Sequence, residues 1–379
     1  MLRILLFLMS IFAWLLSPVV TAVTLVPAPP RINASSYLVM DYHSGRLVVN
    51  ENADKRVEPA SLTKIMTVYI AAKELAAGNI HLDDKVHVSE KAWRMTGSRM
   101  FIEVNKQVTV EELLHGIIIQ SGNDASVALA EYIAGDEDVF AQLMNQQAKL
   151  LGMINTNFVN STGLPHAEHY TTANDLALLA RSLIREYPEI YAMHSLKEFI
   201  YNGIKQTNRN SMLWRDESVD GIKTGHTESA GYCLVASATR EGMRLISVVM
   251  GTEGDNARIN MTQVLLSYAF RFFETHKLYT ANQVIQTGRI WKGDRESVDL
   301  GVNQDLYITI PKGTYKQLDA SIELEPIIIA PVSVGEVKGT LKVKLEKQEL
   351  VNQPLITLQS VGSGSVLGRF KDDVKLLFE

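Results

Sequence analysis

Hydrophobic and polar positions change period several times along this chain, and each change marks a predicted element. Tyr37 to Met40 and Arg46 to Val49 are short apolar runs around the turn-forming stretch Asp41 to Gly45, the pattern of a β-hairpin. From Leu62 to Ala77 the apolar positions recur at helical spacing, with Pro59 at the entrance and Gly78-Asn79 at the exit. A second helix is predicted from Thr109, where Glu112 completes a capping box and Leu113, Leu114 and Ile117 form the apolar stripe. Helical pattern resumes over Asp124 to Ile133, Asp138 to Leu151 and Asn174 to Ile184, with a polar loop from Asn155 to Thr171 before the last of these. Beyond Gly221 the texture becomes strand-like, in Tyr232 to Ala238 and Arg244 to Met250, and a helix follows near Met261 to Phe273. An antiparallel sheet with helices in blocks is the pattern of an α+β domain.

After about His276 the runs shorten and alternate, in Asp305 to Ile310, Ala320 to Leu324, Gly339 to Leu345 and Pro354 to Gln359, which predicts a small all-β domain. The last stretch differs again. Val366, Leu367, Phe370, Val374, Leu377 and Phe378 share a helical face, with Arg369, Lys371, Asp372, Asp373 and Lys375 opposite, behind a Gly/Ser hinge at Gly362 to Ser365. Such a helix can lie on a membrane surface.

The first 22 residues read as a secretory leader: Arg3, the apolar run Ile4 to Leu16, and a small residue at Ala22. The expected organisation is therefore a signal peptide over 1–22, a catalytic α+β domain over 23–275, a β-rich domain over 276–362 and an amphipathic tail over 363–379. The formal charge of -5 becomes -6 when Arg3 leaves with the leader, and no basic tract stands out, so nucleic acid is not an expected partner. Cys233, the single cysteine, has no intramolecular partner and sits in an apolar run, which predicts a buried, inert thiol.

Three short motifs carry the chemistry. In Ser61-Leu62-Thr63-Lys64 the serine and lysine are three apart, so on a helix the hydroxyl and amine share one face. The helix N-terminus and burial both disfavour a protonated Lys64, leaving an amine able to accept the serine proton. Ser121-Gly122-Asn123 interrupts two helical segments in an apolar setting, where a hydroxyl can relay a proton and an amide can hold a carbonyl or Lys64 itself. As a plain turn, the same stretch would use Asn123 or Asp124 as a helix cap. Lys223-Thr224-Gly225 sets a cation and a hydroxyl beside a glycine, which suits a strand edge approached by an extended peptide ending in a carboxylate. Each motif alone is common; all three in this order are not.

Together, S-x-x-K, S-x-N and K-T-G resemble the motif set of the penicillin-binding proteins and class A β-lactamases. With Gly221 to Thr227, Ala230-Gly231-Tyr232 and Phe270 to Thr275, the β domain and the tail, the chain resembles a low-molecular-mass penicillin-binding protein, a serine-type D-alanyl-D-alanine carboxypeptidase. The resemblance implies a penicillin-binding/β-lactamase-like fold in which Ser61 attacks the penultimate D-alanine carbonyl of a peptidoglycan stem peptide, with Lys64 as base. It implies that Ser121 passes the proton to the departing D-alanine, that Asn123 positions the acyl-side amide, and that Lys223 and Thr224 bind the terminal carboxylate beside Gly225. The N–H groups of Ser61 and His226 would form the oxyanion hole, and Arg209 and Arg258 would support the positive field. β-Lactam antibiotics are the implied inhibitors and the periplasmic face of the inner membrane the implied location; no metal or organic cofactor is expected. The loop Asn160 to Pro165 carries Thr162 where some relatives have a histidine.

The rivals are weaker on the residues. A β-lactamase needs a positioned glutamate, and no E-x-x-L-N motif lies between Ser121 and Lys223. A non-catalytic wall-binding protein has no use for a serine-lysine pair, and a D,D-endopeptidase shares the same machinery. A metal hydrolase would rest on His166, Glu168 and His169 without an obvious further ligand.

Overall fold

The computed structural model describes residues 26–378; the predicted leader lies outside the described residues. The first unit is built on a five-stranded antiparallel sheet. Its strands are β1 (Ser36–Asp41), β2 (Leu47–Glu51), β3 (Val219–Thr227), β4 (Gly231–Arg240) and β5 (Met243–Thr252), in the order β2-β1-β5-β4-β3. β3 is thus an edge strand. The hairpin predicted around Asp41 to Gly45 is β1 paired with β2.

Both faces of this sheet are covered, which explains why β4 reads as nearly continuous apolar sequence rather than an alternating one. Side chains still alternate across it. Leu38, Met40, Cys233 and Val235 join the core on one face, while Tyr37, Val39, Leu234 and Ala236 join the core on the other. The first core is closed by α1 (Lys64–Ala76), α2 (Val110–His115), α3 (Asn123–Ala134), α4 (Glu137–Leu150) and α5 (Ala173–Glu186). The second is closed by α6 (Asp255–Phe272), which starts six residues earlier than the sequence pattern suggests because its first turns expose Asp255, Asn256 and Asn260 and give this core only Ile259. The predicted capping box is present: Thr109 accepts the Glu112 N–H, and the Glu112 carboxylate accepts the Thr109 N–H.

α6 runs directly into β6 (Phe273–Tyr279) of the second, all-β unit. Its other strands are β7 (Val284–Trp291), β8 (Ser297–Gly301), β9 (Leu306–Pro311), β10 (Leu318–Leu324), β11 (Ile328–Ile329), β12 (Val337–Leu345) and β13 (Gln348–Thr357). β6 pairs with β9, and the others form a sheet in the order β10-β12-β13-β8-β7-β11 around Ile290, Val298, Leu300, Leu341 and Leu355. At the junction the buried Asp41 carboxylate accepts hydrogen bonds from Ser44 Oγ (2.8 Å) and from Thr275 Oγ1 (2.7 Å), tying the first hairpin to β6.

The chain closes with α7 (Val366–Leu376), capped by Ser365. Its apolar face is bare: Leu367 is 82% exposed and Phe370 68%. Among the described residues no helix is long and apolar enough to cross a membrane.

Candidate active site

Pro59 bends the chain into a single 3-10 turn, Ala60–Thr63, which leads straight into α1. Ser61 therefore sits one turn ahead of Lys64, the first residue of the α-helix. Ala60 takes φ 47°, a left-handed value a non-glycine residue adopts only under constraint, so the backbone is strained immediately before the serine. The turn packs closely on β3. A Cβ at Gly225 would lie 3.1 Å from the Pro59 carbonyl oxygen and 3.2 Å from Leu62 Cγ. Gly225 is thus needed for the approach of the serine turn itself, a reason distinct from the peptide access expected from the sequence.

Lys64 is 1% exposed, and its amine lies 3.2 Å from Ser61 Oγ, 2.7 Å from Asn123 Oδ1 and 2.5 Å from the Thr162 carbonyl oxygen. Burial, only partly offset by Asp124, lowers its pKa from 10.5 to about 7. A neutral amine has two N–H donors and one lone pair. Asn123 and Thr162 account for the donors, which leaves the lone pair for the Ser61 proton.

A π-helical turn over Gly116–Gln120 ends α2, and Ser121 follows it in the left-handed region (φ 66°, ψ 35°). The Ser121 hydroxyl is buried and has no protein partner among the described residues. Asn123 opens α3, and its amide spans the site: Oδ1 accepts from Lys64 while Nδ2 donates to the Thr96 carbonyl (2.6 Å). Asp124 is no helix cap in the sense considered from sequence. Its carboxylate accepts the N–H groups of Met100 (3.0 Å), Phe101 (2.9 Å) and Ile102 (3.2 Å), fixing the loop at the lip of the site.

The loop after Asn157 supplies the Lys64 acceptor. Asn160 Oδ1 accepts the Thr162 and Gly163 N–H groups, and Gly163, at φ +86°, passes so close to the serine turn that a Cβ there would lie 1.8 Å from the Ala60 carbonyl oxygen. Thr162 thus contributes its backbone carbonyl, while its hydroxyl donates to Asn160 Oδ1 (3.0 Å) within the loop. His169 steadies the same region. Its Nε2 is 2.8 Å from Thr63 Oγ1 and its Nδ1 accepts the Val159 N–H, so both ring nitrogens are engaged within the protein. His166 Nδ1 accepts the Glu168 N–H. Glu137 holds the loop from beneath through Ser161 Oγ (2.7 Å).

Lys223, Thr224 and Gly225 are buried in β3, and His226 is exposed near its end. Lys223 therefore lies inside an edge strand, as its motif suggests. Burial first, then the charges of Lys64, Arg209 and Arg258, lower the Lys223 pKa well below 10.5. Arg209 is exposed, with Nε donating to the Gln120 carbonyl (3.0 Å) beside Ser121. Arg258 is placed differently: only 6% exposed, behind β3, it donates to main-chain carbonyls and pairs with Asp255. Ser61, Lys64, Ser121 and Asn123 thus converge with the β3 edge, and Arg258 reaches that edge from the other side. Sequence reasoning missed the Thr162 carbonyl, the Asp124 cradle and the His169 brace.

Residues 23–254 match the family described as D-alanyl-D-alanine carboxypeptidase, and residues 273–363 match the C-terminal domain of penicillin-binding protein 5. The chain is 44% identical over 377 residues to the D-alanyl-D-alanine carboxypeptidase DacC of Escherichia coli, covering 97% of this chain and 94% of the relative. Over 364 residues it is 42% identical to DacA of the same organism, covering 94% and 90%. Its fold is similar to crystal structures of penicillin-binding protein 5 from Haemophilus influenzae, with a TM-score of 0.87, 42% identity, and coverage of 89% of this chain and all of that one.

Proposed function

Because the chain belongs to the D-alanyl-D-alanine carboxypeptidase family of penicillin-binding proteins, a family of serine peptidases, we propose that its turnover runs through an acyl-enzyme on Ser61. Lys64 takes the Ser61 proton as Oγ attacks the penultimate D-alanine carbonyl of a stem pentapeptide. The bond to the terminal D-alanine breaks, its nitrogen receives the proton through Ser121, and water then releases the shortened peptide by the reverse proton path. The developing oxyanion is held by the Ser61 and His226 N–H groups. Lys223, Thr224 and the exposed Arg209 hold the terminal carboxylate, and a charged carboxylate there favours the peptide end over an internal bond. A penicillin is read as the same acyl donor, leaving a slowly released acyl-enzyme.

One observation carries this reading: the Lys64 amine, displaced from its ordinary pKa by burial, has two protein acceptors for its two N–H bonds and Ser61 Oγ at 3.2 Å for its lone pair. D-Alanine release from a pentapeptide ending in D-Ala-D-Ala tests it. Serine-dependent release, abolished in Ser61→Ala, is expected; release that survives that substitution overturns the acyl-enzyme.

The location follows as a second part of the proposal. An exported enzyme with its leader removed, held by the apolar face of α7 at the periplasmic surface of the inner membrane, meets peptidoglycan at a height set by the β unit. The bare Leu367, Phe370, Leu377 and Phe378 support it, since an apolar stripe of this kind partitions into the headgroup boundary.

A further inference from the structure

β3 is the edge of its sheet, and one of its peptide groups is gripped from behind. Arg258, on the first turn of α6, points Nη1 at the Gly225 carbonyl oxygen (3.0 Å) and, less closely, at the Cys233 carbonyl oxygen (3.3 Å) on β4. Gly225 and Cys233 are register partners, so the guanidinium sits over the seam between the two strands. Its Nη2 is ion-paired with Asp255, and its carbon lies 5.5 Å from the Tyr232 ring centroid. Tyr232 in turn lies 4.0 Å, centroid to centroid, from the His226 imidazole.

The Gly225 carbonyl and the His226 N–H belong to one peptide group. In a trans peptide they point in opposite directions. A carbonyl directed at β4 and Arg258 therefore leaves the His226 N–H directed away from the sheet, along the free edge that the Ala60–Thr63 turn packs against. We propose that Arg258 is a positioning residue of the oxyanion hole: it fixes the Gly225–His226 peptide plane and polarises it through the carbonyl, strengthening the N–H that faces the reacting carbonyl. A cationic donor makes a hydrogen bond roughly twice as strong as a neutral one, and bonds in a chain strengthen each other. The charge thus acts at the cleft without occupying it.

The alternative use of this arginine, as a direct ligand of the terminal carboxylate, conflicts with its placement. To reach a ligand it would have to abandon Gly225, Cys233 and Asp255 together, all from a 6% exposed position. Arg209 is exposed, and among the described residues its side chain has one bond, to Gln120. The structure divides the two arginines accordingly, Arg209 for the carboxylate and Arg258 for the hole.

The inference rests on the acyl-enzyme reading, and its test separates the two. Full-length Arg258→Gln and Arg258→Lys are acylated by penicillin, and the infrared stretch of the acyl-enzyme ester carbonyl is recorded. Turnover is followed with a D-Ala-D-Ala pentapeptide and with the same peptide amidated at its terminal carboxylate. One oxyanion donor contributes about 10²–10³-fold, and 10–30% of that on a logarithmic scale is about 2- to 8-fold. Arg258→Gln should lower acylation by that factor on both peptides, leave KM nearly unchanged, and move the ester stretch to higher frequency; Arg258→Lys should recover most of each change. Should Arg258→Gln fail to fold, Asp255→Asn frees Arg258 from its counter-charge and should move the stretch to lower frequency. A loss confined to the carboxylate-bearing peptide, or an ester stretch blind to all three substitutions, overturns the proposal. Absence of any Ser61 acyl-enzyme in the unaltered protein would overturn the underlying reading instead.

Discussion

The sharpest consequence of the site concerns pH. An exposed lysine of pKa 10.5 is a free amine for roughly 0.03% of the time at pH 7, whereas Lys64, lowered to about 7, is free for about half of it. Burial thus raises the supply of base by about a thousandfold. If the free amine is what deprotonates Ser61, the acylation rate constant should follow its population, half-maximal near pH 7, about 9% of the plateau at pH 6 and about 1% at pH 5. The assay is stopped-flow acylation by a fluorescent penicillin between pH 5 and pH 9, with binding separated from the chemical step by varying its concentration. Lys64→Arg supplies the control: it keeps a cation near Asn123 but one that does not deprotonate, so acylation should fall by about 10²–10⁴-fold and the acid limb should vanish. A limb that persists in Lys64→Arg would assign the titration to another group, such as Lys223. A flat profile in the unaltered protein would end the argument for a lysine base.

Lys64 also makes stability depend on pH. Its folded pKa lies below the unfolded value, so between about 7 and 10.5 the unfolded chain binds the extra proton and stability rises with pH, by about 1.4 kcal/mol per unit and up to about 5 kcal/mol in all. Denaturant unfolding of Lys64→Met, which lacks the buried amine, should miss this rise; parallel curves for the two proteins would exclude it. Gly163→Ala puts a methyl group 1.8 Å from the Ala60 carbonyl oxygen at φ +86°, so it should cost at least about 1–3 kcal/mol in thermal unfolding and reduce acylation as the Thr162 carbonyl shifts. Unaltered acylation would show that Lys64 does not depend on that carbonyl. Deleting residues 363–379 should abolish sedimentation with anionic vesicles and leave pentapeptide turnover in solution intact, and unchanged vesicle binding would refute the membrane role of α7.

What the sequence makes legible here is whatever a side chain announces through spacing. Thr109 and Glu112 declare their helix start, because a capping box needs those two types three apart. Ser61 and Lys64 declare their pairing by the same rule. β7 and β8 were not legible: Val284 to Trp291 is mostly exposed along its first half, so it lacks the alternation that marks a strand, and Gly288 weakens it further. β6 was hidden for a different reason. α6 passes into it without a turn residue, so no punctuation separates helix from strand.

Apart from the His169 brace, the unpredicted parts of the site share one property. The Lys64 acceptor on Thr162, the three N–H groups held by Asp124 and the Gly225 carbonyl held by Arg258 are all main-chain atoms. Every residue carries them, so no residue type advertises them, and only the fold decides which ones face the reaction. Yet they determine how the legible residues behave. Lys64 can act as a base only where two acceptors take its N–H bonds, and one of those is a loop carbonyl held in place by Asn160 and by the absence of a side chain on Gly163. Strain also sits beside both motif serines: Ala60 takes φ 47° immediately before Ser61, whose Oγ lies 3.2 Å from the Lys64 amine, and Ser121 itself takes φ 66°. The three motifs therefore name the reacting groups, while the loops between them set the pKa, the donor directions and the strain on which the chemistry depends.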